Sequence, residues 1–320
     1  MSRRVRLYAI VAVAAAAAAG LTVGVTLATR TTPPKGPEPL AGAPPLLLDL
    51  GVRTDAEATA LRRAAGLYGR GQRRQAASVF DRYRSTEARV GSALARWPAG
   101  FAALQDLAAA DPGSALVQLE YGLGRYWRRD DAAAKAAWQR ARRAQPDTPY
   151  AVRAEDLLYP NFPRGLPEFV PSFAAPAELD RLSPPEQLAF LRRRAGGGDA
   201  RAKLLYGVAL QRLGRQVSAL RAFQQAAVLA PADPEPKVAA AVARFDKGAP
   251  ARTFSRLGPL SRRYPKSQTV RFHLGLCLLW MGSVADARAQ LRLARSLDET
   301  SALGREAQAF LSRLKSVRTR

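Results

Sequence analysis

The chain is poor in the residues that most catalytic and metal chemistry needs. Its 320 residues include one cysteine, Cys277, and one histidine, His273. No internal disulfide can form, and a Cys/His zinc site, an iron–sulfur cluster and a two-histidine metal centre are excluded. Acids are scarce as well: 26 Asp and Glu stand against 50 Lys and Arg, a formal charge of +24. Carboxylates such as Glu155 and Asp156 have no second reactive group beside them in sequence. Gly196-Gly197-Gly198-Asp199 lacks the spacing of a phosphate loop and follows no strand, so it reads as a hinge with Asp199 capping the next helix. The expectation is a protein without catalysis, without a cofactor and without a metal.

Charge is also missing from one long run. Leu7 to Ala28 is 22 residues without a charged side chain. At about 1.5 Å per residue it reaches roughly 33 Å, enough for a bilayer core of about 30 Å. Arg3, Arg4 and Arg6 precede it, and only Arg30 and Lys35 follow closely. That asymmetry predicts a cytoplasmic tail (1–6), a single transmembrane helix (7–28) and a repeat domain outside the cytoplasm. A cleaved signal peptide, giving a secreted or periplasmic chain, is the alternative. No cysteine lies nearby for lipidation. Residues 29–52 carry Pro33, Pro34, Pro37, Pro39, Pro44 and Pro45 and read as an extended spacer.

From residue 53 to 317 the composition is helical, and small residues recur at a fixed step. Gly207, Gly214, Ala219, Phe223, Ala226 and Pro231 are followed 34 residues later by Ala241, Gly248, Thr253, Leu257, Leu260 and Pro265. Another 34 residues on stand Gly275, Gly282, Ala287, Leu291, Ala294 and Glu299. Gly122, Ala134, Trp138, Ala141 and Pro146 keep the same spacing upstream. The pattern resembles the tetratricopeptide repeat family. The resemblance implies an all-α, right-handed α-solenoid of helix-turn-helix repeats, because a lone hairpin cannot bury its apolar face. Two irregularities are expected. The first two units start only about 24 residues apart, near 57 and 81. The units at Ala115 and Ala200 lie 85 residues apart, two periods and 17 more, which predicts a unit of Tyr150–Leu158 and Pro185–Ala195 carrying a loop at about 160–176. Residues 302–317 read as a capping helix.

The family's inner surface, transferred by register, gives Leu119, Leu123, Tyr126 and Trp127 in one unit. It gives Val242 and Phe245 in another, and Phe272, Leu276 and Trp280 in a third. An apolar, aromatic inner face suits a peptide groove; the same residues could equally be core. The 160–176 loop interleaves prolines with Phe162, Phe169 and Phe173, so it is either laid over its own helices or part of a partner site. His273 and Cys277 share a helix face, but Cys277 takes the register of Ala209 and Ala243, a packing position. Arginine outnumbers lysine 43 to 7 in clusters along the chain. Anionic lipid, a cell-envelope polyanion and an acidic protein are candidate partners for that charge. Nucleic acid suits only a domain that stays in the cytoplasm. The whole predicts a membrane-anchored scaffold that binds a protein or peptide, with a basic nucleic-acid- or lipid-binding module as the alternative.

Overall fold

A computed structural model describes residues 40–316. The expected tail, the 7–28 span and the first part of the spacer lie outside the described residues. Among the described residues no helix is long and apolar enough to cross a membrane. They form fifteen α-helices and a short 3₁₀ turn (Ala177–Arg181), with no strand.

In chain order the helices are α1 (Ala56–Gly69), α2 (Arg73–Phe80), α3 (Thr86–Ala95), α4 (Phe101–Ala110) and α5 (Ala115–Trp127). Next come α6 (Asp131–Ala144), α7 (Pro149–Leu158), α8 (Pro184–Ala195), α9 (Ala200–Arg212) and α10 (Gln216–Leu229). The last are α11 (Pro234–Val242), α12 (Ala251–Arg263), α13 (Gln268–Trp280), α14 (Val284–Leu297) and α15 (Ala302–Ser316). Helix starts follow local chemistry. Asp55, Ser85, Ser114, Asp130, Thr148, Asp199 and Asp233 each accept a first-turn main-chain N–H, satisfying a donor the helix leaves orphaned.

Each of α1, α3, α5, α9, α11 and α13 packs antiparallel on the helix after it. The repeat glycines set the closeness of that pairing. A Cβ on Gly207 would stand 2.3 Å from the Phe223 ring, and one on Gly122 would stand 2.4 Å from Trp138. Only hydrogen fits there, so the spacing seen in the sequence is a steric lock between the helices of one hairpin. First helices also touch the next first helix (α1–α3–α5–α7 and α9–α11–α13–α15), whereas no second-helix pair packs comparably. The stack therefore curves with its first helices on the inner side.

Three expectations need correcting. The second unit starts at Thr86, 30 residues after Ala56 and not 24; the eight-residue α2 keeps the step below 34. The predicted hairpin of 150–158 with 185–195 does not form: α7 packs on α5 and α6, and α8 on α9. The reason lies in the inserted segment, which leaves α7 and crosses the inner face of later repeats before α8 begins. The spacer also ends sooner than residue 52, since Pro44 and Leu50 are buried and Leu46, Leu47 and Leu48 pack on the first helices.

Buried apolar residues form three clusters, over residues 50–154, 169–277 and 272–311; the last two meet on α13, so two helical blocks result. Their junction packs Pro149 against Gly214 and is tied by polar contacts. Lys247, fully covered, bonds Asp156 Oδ1 (2.5 Å) and the Pro163 carbonyl (2.6 Å), and its own N–H donates to Glu155 Oε1 (2.7 Å). Arg142 pairs with Asp246 (3.0 Å), and Asp147 accepts from Ser218 Oγ (2.5 Å) at the start of α10. Asp156, unpaired in the sequence, is thus a structural ion partner, and Glu155 a main-chain acceptor.

Candidate functional site: two inner grooves holding extended chain

Both blocks hold a length of extended polypeptide across their first helices. In the first block the occupant is residues 43–50. Tyr68 on α1 donates its hydroxyl to the Pro44 carbonyl. The Leu47 N–H donates to Glu120 Oε1 on α5 (2.6 Å), and Tyr150 on α7 donates to the Asp49 carbonyl (2.7 Å). Leu40 donates to the Trp127 carbonyl (3.4 Å).

In the second block the occupant is the proline-rich insertion. The Phe169 N–H donates to Gln211 Oε1 on α9 (3.1 Å), and the Val170 N–H donates to His273 Nε2 on α13 (2.9 Å). The Ser172 N–H and hydroxyl both donate to the Glu235 carboxylate on α11 (2.6 and 2.8 Å). The Phe169 ring is 1% exposed, stacked on His273 (4.8 Å) and edge-on to Phe223 (5.7 Å). Phe173 lies under the Arg201 guanidinium (5.2 Å). Proline explains the extended shape: it withholds donors and bars helix, so the remaining N–H groups must find side-chain acceptors.

Glu120 and His273 occupy the same place, sixth from the start of their helices at Ala115 and Gln268. Each is buried and each accepts one main-chain N–H. Their protonation follows from that. Burial raises the Glu120 carboxyl to about 8, although the Leu47 N–H works against it. Burial lowers His273 to about 4. The ring must accept at Nε2, so its proton sits on Nδ1, 2.7 Å from the Thr269 carbonyl. Burial also raises Glu235, opposed by the two Ser172 donors, and lifts the Cys277 thiol to about 12. Cys277 is an inert packing residue, as its register implied.

The predicted groove residues divide between the blocks. Leu119 and Leu123 are buried in the core of the first block, with Trp127 half-buried and Tyr126 exposed at the end of α5. Val242, Phe245, Phe272 and Leu276 are buried in the second, with Trp280 half-buried beside them. Phe162, Phe245 and Trp280 form an edge-to-face row, 6.3 and 5.7 Å apart. The loop residues Phe162, Phe169 and Phe173 lie on this face, so the loop covers its own helices. The polar residues that bind main chain, Glu120, Gln211, Glu235 and His273, were not anticipated, nor was the docking of residues 43–50. The available signal was a lone polar side chain inside an apolar first-helix stripe. Among the described residues no group of His, Cys, Asp and Glu is placed to hold a metal ion.

No family model and no curated protein matches the chain. Solved structures similar to it are helical-repeat proteins. Yeast Tom70 is 12% identical at TM-score 0.38, over 87% of this chain and 53% of that one. The C-terminal part of a TPR repeat-containing protein from Cytophaga hutchinsonii is 14% identical at TM-score 0.29, over 77% and 98%. The TPR2AB domain of yeast Sti1, in a complex with pHSP90, is 12% identical at TM-score 0.28, over 81% and 98%. The chain thus spans about half the length of the Tom70 structure. At these scores nothing about ligands transfers from those proteins, and the grooves stand on their own contacts.

Proposed function

We propose that this chain is a non-enzymatic, membrane-tethered scaffold that holds an extended polypeptide segment of a partner on the inner face of its helical repeats. One observation carries the reading: twice, the first-helix surface receives extended main chain through a polar side chain buried at the same register. A surface built only as core would have no use for such an acceptor, because an unpaired one costs about 1–3 kcal/mol.

Residues 7–28 serve as the anchor, with the N-terminus in the cytoplasm and the repeats on the other side. The uncharged 22-residue run and the arginines ahead of it support this. The positive charge keeps the stack near anionic headgroups. Helix α12 supports that part, with Arg252, Arg256, Arg262 and Arg263 exposed and no acid in its length.

A photocrosslinking residue placed in turn at Trp127 and Trp280, in the full chain in cells, tests the reading. Crosslinks from the membrane fraction to a defined extended segment of another polypeptide are expected. Only intramolecular links would remove the partner, and recovery of the full-length chain in the soluble fraction would remove the tether.

A further inference from the structure

The second groove is already full, and the way it is filled says what it can take. Residues 166–173 cross α9, α11 and α13, bonded to Gln211, Glu235 and His273. The two blocks are tied by Lys247–Asp156, Arg142–Asp246 and Asp147–Ser218, none of which involves residues 166–173. The stretch just upstream is pinned to that junction by the Gly165 N–H to Asp156 (2.8 Å) and the Pro163 carbonyl to Lys247. Downstream, Ala174, Ala175, Ala177 and Glu178 are exposed. Residues 166–173 are thus a non-helical segment, pinned just upstream, that makes none of the three junction contacts and inserts Phe169 among Leu204, Val208 and Phe223.

We infer that residues 166–173 are an exchangeable cis ligand, and that the groove of α9, α11 and α13 accepts in their place a partner segment of the same chemistry. This rests on the polypeptide-binding reading above and specifies its ligand. That ligand is an extended, proline-bearing segment with an aromatic residue, an aliphatic residue next to it, and Ser or Thr two positions further on. Each element has a receiving group. The slot between Phe223 and His273 takes the aromatic ring, and Gln211 and His273 take two successive main-chain N–H groups. The Glu235 carboxylate takes a hydroxyl and its N–H, and it repels an acid at that position. Two flanking prolines, as at Pro167 and Pro171, keep the segment extended and lower its ordering cost.

Release is then a matter of competition. A tethered segment competes at an effective concentration in about the millimolar range, so a free peptide binds the intact chain weakly and a partner that is itself multivalent or locally concentrated displaces it. The test uses the full chain and a labelled peptide spanning residues 164–175, read by fluorescence anisotropy. The chain carrying Ser172→Ala and Phe173→Ala keeps the groove and weakens its own occupant. It should bind the peptide at least about tenfold tighter than the parent chain. A peptide with Phe169→Ala should bind neither. Failure of the doubly substituted chain to bind, with its helical circular dichroism and melting cooperativity intact, would overturn the inference. Binding independent of Phe169 would do the same. If that chain fails to fold, Ser172→Ala alone, which removes one hydroxyl bond and no buried ring, replaces it in the comparison. Peptide exchange without any partner crosslink in cells would leave the groove chemistry standing and remove the proposed partner. A partner crosslinked at Trp280 without peptide exchange would do the reverse.

Discussion

His273 is the residue on which the second groove turns, and its environment makes its behaviour with pH specific. It is fully buried, neutral, and accepts a bond that the protonated ring could not accept. Its folded-state value, about 4, lies below the ordinary 6.5. The unfolded chain therefore binds the extra proton first. The stability this group contributes is complete above about pH 6.5 and is lost as the pH falls from there toward 4, by about 3 kcal/mol at most. Glu120 acts in the opposite sense: its raised value, about 8 against 4.5, stabilises below about pH 4.5 and loses effect as the pH rises toward 8. Urea unfolding of the parent and of His273→Gln, which keeps an acceptor and cannot titrate, separates the two. The parent should lose more stability than the variant between pH 7 and 5. Parallel curves would contradict the buried neutral ring. Little of this was legible beforehand. His273 and Cys277 were visible as a pair on one face, and the register settled Cys277. The use of His273 depended on which segment crosses it, and that is a tertiary fact.

At the scale of elements, the repeat was legible wherever one residue's size fixes helix spacing, as with Gly207 against Phe223 and Gly122 against Trp138. It was less legible where the helices are short. The eight-residue α2 and the separation of α7 from α8 follow from tertiary packing, and glycine spacing does not report that. The block junction was hidden for a related reason. Lys247 reads as an ordinary turn lysine until Asp156, 91 positions away, is placed against it. Removing one partner of a covered ion pair strands the other, at a cost of about 3–5 kcal/mol. Lys247→Ala should destabilise by that amount in urea unfolding and broaden the transition as the blocks uncouple. Lys247→Met with Asp156→Leu should recover most of the loss, since neither charge then stays buried. An unchanged midpoint in Lys247→Ala would show that the blocks are held some other way.

At the scale of the whole molecule, the stack is a curved wall whose inner face is lined by two lengths of its own chain. Residues 43–50 line the first block and residues 166–173 the second. The wall itself came from the 34-residue step. The lining did not, because a proline-rich stretch such as 43–50 or 160–176 looks alike whether it is a free spacer or a seated strand. What distinguishes the two is whether its few N–H groups have acceptors, and those acceptors are single polar residues in helices far away in sequence.

Amide hydrogen exchange on the intact chain, with no partner present, addresses that distinction directly. The N–H groups of Leu47, Phe169, Val170 and Ser172 lie outside every helix and bond only to Glu120, Gln211, His273 and Glu235. All four should exchange far more slowly than an unstructured chain, and Val170 should speed up in His273→Ala while the α9 amides stay protected. Exchange of all four at unstructured-chain rates would mean that the inner grooves are empty, and the reading of this protein as a scaffold for extended polypeptide would lose its foundation.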